Sequence, residues 1–480
     1  MKFPKEFLFG GATADFQFEG GFAEDGRGLI THDFVTTGDV STPRRITYQT
    51  PDGKTGAVDW KKESMPPEAV GYFDETEKYP SHYGVDFYHR YQEDIKLIAD
   101  LGMNVFRFSI CWSRIFPTGE ETVPNEQGLL FYQKVIDECQ KYGIEPLITI
   151  CHDEIPAELA NKYDGWSSRK TITAYLRLCQ VLFERFGKQV KYWLTFNEVN
   201  VLRGYSMLGT RSVDEQTFYQ ASHHIFIASA LATKMAHEML PEAMLGTMYA
   251  LSPVYPLTCK PEDVFSQVTA RRKTLFFSDV MIRGTYPNYQ KKYFEKEGIK
   301  IVMEPGDLET LKNHTLDYIA FSCYRSTTVN QESQYDIMVM DPNPYLPKTK
   351  WNWTVDPMSI RYVLNEVYDR YQVPAFIVEN GMGEIDRWDE NFYVEDDYRI
   401  DYLNNHFKEI AKAIEEDGVP VLGYTMWGII DLVSLSTGEM AKRYGLIFVD
   451  MDDFGNGSLN RYPKKSYFWM KDFLEAFHEK

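Results

Sequence analysis

The chain has 480 residues, and its 44% hydrophobic and 25% charged content is that of a globular protein able to fill a large core. A formal net charge of −19 excludes sequence-independent nucleic-acid binding, which needs a basic surface, and obliges any anionic ligand to find a local basic pocket. No apolar run reaches the roughly 18 residues of a membrane span. The opening MKFPKEFLFGG has no leader-like apolar core, and six cysteines without a CxxC pair or zinc-ligand spacing point to reduced thiols and a cytoplasmic location.

Short runs that are apolar on both faces recur along the chain at 7–11, 103–110, 144–150, 190–196, 244–250, 317–323, 375–378 and 422–427. Such runs predict buried parallel strands. Segments with helical spacing of apolar residues separate them, at 85–101, 126–142, 169–186, 214–239, 357–371 and 398–416. Gly102, Gly143 and Gly418 stand where helix C-caps are expected. Eight strand-then-helix units predict an α/β fold, a single (β/α)₈ barrel spanning residues 1–480. An open dinucleotide-binding sheet is the competing architecture, but GGATADFQFEGG lacks the G-x-G-x-x-G spacing, so no nicotinamide cofactor is expected. The polar stretches near 36–80 and 325–356 are expected to be extended loops on the active face. His223 and His224 fall inside a helical segment and are read as packing residues.

Barrel enzymes carry their chemistry at the C-terminal ends of the strands. There the fourth run leads into Asn197-Glu198, the seventh into Glu379-Asn380-Gly381, and the third into Cys151-His152. Two carboxylates converging on one barrel mouth suit glycoside hydrolysis, in which one group protonates the leaving oxygen and the other handles the anomeric carbon. Each glutamate taken alone reads equally well as a solvated side chain.

With these residues in place the chain resembles glycoside hydrolase family 1 along nearly its whole length. TFNE at 195–198 and VENG at 378–381 match the family's acid/base and nucleophile motifs, and FLFGGATADFQFEG and FRFSICWSRIFP match two further signatures. The resemblance implies a retaining glycosidase with Glu198 as acid/base and Glu379 as nucleophile. It also implies that Arg107 and Tyr324 hold the nucleophile, that Gln17, His152 and Asn197 bind sugar hydroxyls, and that Trp427 and Trp353 form a sugar wall. No metal is expected.

The stretch 423–450 bears on the substrate. Relatives acting on unphosphorylated sugars carry a glutamate where this chain has Ser434. A hydroxyl donates to a phosphate that a carboxylate would repel, and Lys442 and Tyr444 follow at the spacing seen in the 6-phospho-glycosidase branch. Leu435 stands where galactoside-selective relatives have tryptophan, which favours the gluco epimer. The expected partner is therefore a small phosphorylated β-glucoside. A 6-phospho-β-galactosidase, a plain β-glucosidase and a catalytically silent sugar-binding barrel are the alternatives, and oligomeric state, a homo-oligomer included, is left open. Three positions depart from the pattern: Asp153 replaces an aromatic residue, Cys323 a tyrosine and Ser322 an asparagine. Asp153 could alter hydroxyl recognition, raise the pKa of a neighbouring acid, or turn away into a salt bridge.

Overall fold

A computed structural model describes residues 1–333 and 341–479. Eight parallel strands close into a barrel: β1 (Leu8–Ala12), β2 (Val105–Ser109), β3 (Glu145–Cys151), β4 (Tyr192–Phe196), β5 (Met244–Ala250), β6 (Tyr318–Ser322), β7 (Ala375–Asn380) and β8 (Val421–Trp427). Each strand pairs with its sequence neighbour, and β1 closes the ring against β8, with Leu8 opposite Gly423. The eight apolar runs thus form the eight strands, with ends displaced by at most two residues.

Alternation along each strand divides two cores. Val105, Leu147, Leu194, Met248, Tyr318, Ala320, Phe376 and Val378 fill the barrel interior. Their neighbours, such as Phe106, Phe108, Ile148 and Ile150, face outward into the layer beneath the helices. This is the burial on both faces that apolar parallel strands require.

The main helices are α1 (Phe87–Asp100), α2 (Glu126–Lys141), α3 (Arg169–Phe186), α4 (Glu215–Met239), α5 (Pro261–Arg283), α6 (Met358–Tyr371), α7 (Asp397–Glu415) and α8 (Lys465–His478). Gly102, Gly143 and Gly418 follow α1, α2 and α7 with φ of +85°, +69° and +72°, the left-handed conformation of a helix C-cap. Two of the eight helices, α5 and α8, have no counterpart among the segments expected from spacing. In α5 the reason is visible: buried Arg271 pairs with Glu366 and buried Asp279 with Arg370, so charged residues interrupt what would be an apolar stripe. No helix among the described residues is long and apolar enough to cross a membrane.

The stretch near 36–80 is not plain loop. It contains a three-stranded antiparallel sheet, Arg45–Gln49 between Thr55–Asp59 and Val70–Gly71. Residues 334–340 of the second expected loop lie outside the described residues; before them Thr327–Val329 pairs with Val254–Pro256. His223 and His224 are buried hydrogen-bonding residues: the first reaches Tyr286 and Asp307, the second the carbonyl of Trp166.

Candidate active site

Strand alternation places the first site residue. Val105 points into the barrel, so Arg107, two residues on, does too, one layer nearer the C-terminal mouth. The guanidinium is fully buried and held on all sides: Nε donates to Thr149 Oγ1 at 3.0 Å, Nη2 to Asn197 Oδ1 at 2.7 Å, and Nη1 to Glu379 Oε1 at 2.6 Å.

Glu379 reaches that guanidinium through a bulge. Phe321 of β6 pairs with Ile377, but the next residue, Ser322, pairs with Glu379, leaving Val378 as an extra residue in β7. Strict alternation from the inward-facing Phe376 and Val378 would send Glu379 outward. The bulge re-aims it to the mouth, a common use of bulges at barrel rims. Its second oxygen accepts a hydrogen bond from the Tyr324 hydroxyl at 2.7 Å. Burial and the charge of Glu379 keep the Tyr324 hydroxyl protonated, so it stays a donor.

Glu198 enters from the end of β4 with a φ of +35°, a strained value for a residue with a side chain. Its Oε1 accepts from Ser322 Oγ at 2.5 Å. Ser322, noted from the sequence as a departure, is thus the residue that touches Glu198.

Burial raises both glutamates, Glu379 up to about 7, and the charge of Glu198 adds to the rise on Glu379. Arg107 and Tyr324 oppose it on Glu379; Ser322, Lys61 and Arg107 oppose it on Glu198. Two donors, one of them cationic, point at Glu379, and one neutral hydroxyl points at Glu198. That asymmetry favours the charged form at Glu379 more than at Glu198.

The cavity above this pair is lined by Gln17, His152, Asn197, Tyr324, Trp353, Trp427, Leu435 and Tyr444, all expected from the sequence. Gln17 donates to the carbonyl of Val433 at 2.6 Å, while its Oε1 and Nδ1 of His152 are buried without a partner among the described residues. Unpaired buried polar atoms at a cavity are places for ligand hydroxyls. Burial, then the charge of Arg107, lowers the His152 pKa well below the usual histidine value, so a neutral ring meets the ligand.

Among the described residues Asp153 has no salt-bridge partner of the kind the sequence left open. Its Oδ1 accepts from Asn197 Nδ2 at 3.0 Å, so the Asn197 amide is held at both ends, by Asp153 and by Arg107. Burial and the charge of Glu198 push the Asp153 carboxyl up to about 7. Lys61, which the sequence did not single out, lines the cavity, and its charge acts on both Asp153 and Glu198. The one sequence signal for it was its place in the insertion expected on the active face. Cys323, the third departure, is buried behind the site with its thiol 3.4 Å from Ser359 Oγ.

The residues expected to bind phosphate lie together: Tyr444 lines the cavity, Ser434 and Lys442 are buried beside it, and Ser436, which the sequence did not single out, also stands on the wall. Ser434 is fully buried behind it, 3.4 Å from Ser436 Oγ, and hydrogen-bonds Tyr444. Lys442 is also buried behind the wall and donates to Ser436 Oγ at 3.3 Å. Burial, with the charge of Arg325, brings the Lys442 pKa down to about 7. Gly383 lets Lys442 and Tyr444 lie side by side: a Cβ there would come within 2.9 Å of Lys442 Cε and 3.0 Å of Tyr444 Cζ.

Residues 1–478 match Glycosyl hydrolase family 1. The chain is 46% identical to the 6-phospho-beta-glucosidase AscB of Escherichia coli (strain K12), over 99% of this chain and 98% of that protein. It is also 46% identical to the aryl-phospho-beta-D-glucosidase BglH of Bacillus subtilis (strain 168), over 98% of this chain and 97% of that one. Among solved structures, the family 1 b-glucosidase from Thermotoga maritima superposes with a TM-score of 0.80 at 28% identity, covering 99% of both chains. The paired glutamates, the barrel that presents them and these likenesses have one reading: the chain belongs to glycosyl hydrolase family 1.

Proposed function

We propose that the protein is a retaining 6-phospho-β-glucosidase that hydrolyses small 6-phospho-β-glucosides, such as cellobiose 6′-phosphate or aryl 6-phosphoglucosides, to glucose 6-phosphate. The observation that carries the specificity is the buried Lys442 ammonium, bonded to Ser436 at the wall of the cavity that holds Glu198 and Glu379. In a chain of charge −19 it supplies a local cation for an anionic substrate. The names of the relatives support the same substrate class, and Leu435 on the wall supports the gluco epimer over the galacto. The reading includes a cytoplasmic location, which six unpaired thiols, five of them buried, support.

Catalysis follows from the two protonation states. The Glu379 carboxylate, aimed by Arg107 and Tyr324, attacks the anomeric carbon while Glu198 gives its proton to the leaving oxygen. Forming the glycosyl ester removes the charge on Glu379, and with it the repulsion that favoured a protonated Glu198. Glu198 then takes a proton from the incoming water, which attacks the same carbon and frees Glu379. Two inversions retain the configuration.

The direct test compares p-nitrophenyl β-glucoside 6-phosphate with p-nitrophenyl β-glucoside under the same conditions. A kcat/KM at least about 100-fold higher for the phosphorylated compound is expected, the scale of a buried charge-assisted contact. A preference for the plain glucoside would refute the phosphate reading and leave the barrel and mechanism standing.

The lowered Lys442 pKa adds a pH signature. Above about pH 7 the empty site holds a largely neutral amine, whereas a bound phosphate dianion favours the ammonium. Binding of glucose 6-phosphate at pH 8 should therefore take up protons. The uptake should fall as pH drops through 7 and reverse below about 6, where the phosphate monoester must lose a proton to bind as the dianion. Calorimetric titrations in buffers of different ionisation enthalpy measure this; a pH-independent zero would remove Lys442 from the site.

A further inference from the structure

The cavity is lined by a cation that the phosphate reading does not use. Lys61 stands on its wall together with Glu198. The residue follows the strand Thr55–Asp59 of the small antiparallel sheet. There the backbone N–H groups of Lys61 and Lys62 both donate to Asp59 Oδ1 at 2.9 Å, which turns the chain. Trp60 is buried in this turn, and the Lys61 ammonium lies 4.2 Å from the centroid of its ring. The indole thus holds a partly buried ammonium at the cavity.

Its place relative to the two glutamates is uneven. Lys61 acts on Glu198 and on Asp153, whereas Glu379 is governed by Arg107, Glu198 and Tyr324. Lys61 therefore stands on the side of Glu198. A general acid must be within hydrogen-bond reach of the atom it protonates, so a group on its side of the cavity faces the leaving group. Burial brings the Lys61 pKa down to about 8, and the charges of Asp153 and Glu198 oppose that fall, so the side chain is largely an ammonium at neutral pH. These carboxyls act at a distance and leave its donors open. Among the described residues the ammonium makes no hydrogen bond and no salt bridge, and its contact is the Trp60 ring. An ammonium carries three donors. What the position has room for is thus not a counter-charge but acceptor oxygens.

We propose that Lys61 is a specificity-determining residue on the leaving-group side of the cavity, donating hydrogen bonds to hydroxyl oxygens of a second sugar ring. A hydroxylated ring beyond the bond that breaks brings neutral acceptors to the ammonium, and a bare aryl ring brings none. Asp153 and Glu198 make the same neighbourhood a poor one for an anionic leaving group. The inference rests on the reading above, with Glu198 as the acid and a 6-phosphorylated substrate.

The test measures kcat/KM of wild type, Lys61→Met and Lys61→Arg on cellobiose 6′-phosphate, phenyl β-glucoside 6-phosphate and p-nitrophenyl β-glucoside 6-phosphate. All three share the phosphorylated sugar. The first two leaving groups need a proton from the acid, and only the first carries hydroxyls; p-nitrophenolate departs with little help. Lys61→Met should lower the ratio of the disaccharide to the phenyl substrate about 10-fold, the scale of a hydrogen bond from a charged donor. Lys61→Arg, which keeps a charged donor, should restore most of that ratio. The ratio of the phenyl to the p-nitrophenyl substrate should stay within about twofold of wild type, because the acid itself is untouched. Equal slowing of all three substrates in Lys61→Met would mark a structural residue and overturn the proposal. A fall confined to the phenyl-to-p-nitrophenyl ratio would show that Lys61 serves the acid rather than the leaving group's hydroxyls, and would equally overturn it. A wild-type enzyme that prefers plain p-nitrophenyl β-glucoside to its 6-phosphate would instead remove the reading on which the inference rests.

Discussion

Replacing Glu379 by glutamine lowers kcat by about 10⁴-fold or more, the scale of losing a covalent nucleophile, while the barrel stays folded. Glutamine keeps the shape and an acceptor oxygen for Arg107, whose guanidinium also retains Asn197 and Thr149 as partners. A smaller residue would leave a fully buried cation facing a void, a costly arrangement that would confuse chemistry with stability. What glutamine removes is the negative charge that, in the proposed mechanism, attacks the anomeric carbon. Thermal unfolding within a few degrees of wild type, alongside lost turnover, is the expected pair of results. Product stereochemistry in azide separates the two glutamates. An alanine at 379 should allow azide to displace the leaving group directly and yield the α-glycosyl azide. An alanine at 198 should yield the β-glycosyl azide, because the covalent intermediate still forms. Near-normal activity of Glu379→Gln would overturn the mechanism.

Lys442→Ala should reduce kcat/KM for the phosphorylated aryl glucoside about 100-fold, equivalent to about 3 kcal/mol, mostly through KM. The ammonium is remote from the bond that breaks, so its contribution is made in the ground state and the transition state alike. The substitution also removes a buried cation from beside Arg325, so the folded protein should be no less stable for it. Comparing KM for phosphorylated and plain substrates is the measurement. Equal rises for both would reassign Lys442 to packing of the wall.

How far the local pattern reaches can be followed residue by residue. Val105 to Arg107 is a two-residue step on one strand, so apolar periodicity alone carries Arg107 to the inner face. Glu379 is different. The same periodicity sends it outward, and its inward aim depends on the extra residue at Val378, which exists only relative to the neighbouring strand β6. Helices read well where one face is apolar. They failed in α5, where Arg271 and Asp279 are buried because Glu366 and Arg370 come from a distant helix to meet them.

The site divides along the same line. The amino-acid sequence by itself determined the eight strands, the two glutamates at their ends, Arg107 and Tyr324 that hydrogen-bond Glu379, and the Lys442–Tyr444 pair, because each is encoded within a strand or a short motif. Only the tertiary structure decided that Ser322 touches Glu198, that Asp153 steadies Asn197, that Ser436 stands on the wall in front of Ser434, and that Lys61 and Arg325 share the cavity. These residues lie on segments whose direction is set by contacts far away in sequence. Barrel closure brings the ends of β1, β4, β6 and β8 around one mouth, and that convergence, which no local pattern contains, is what turns separate loops into one site.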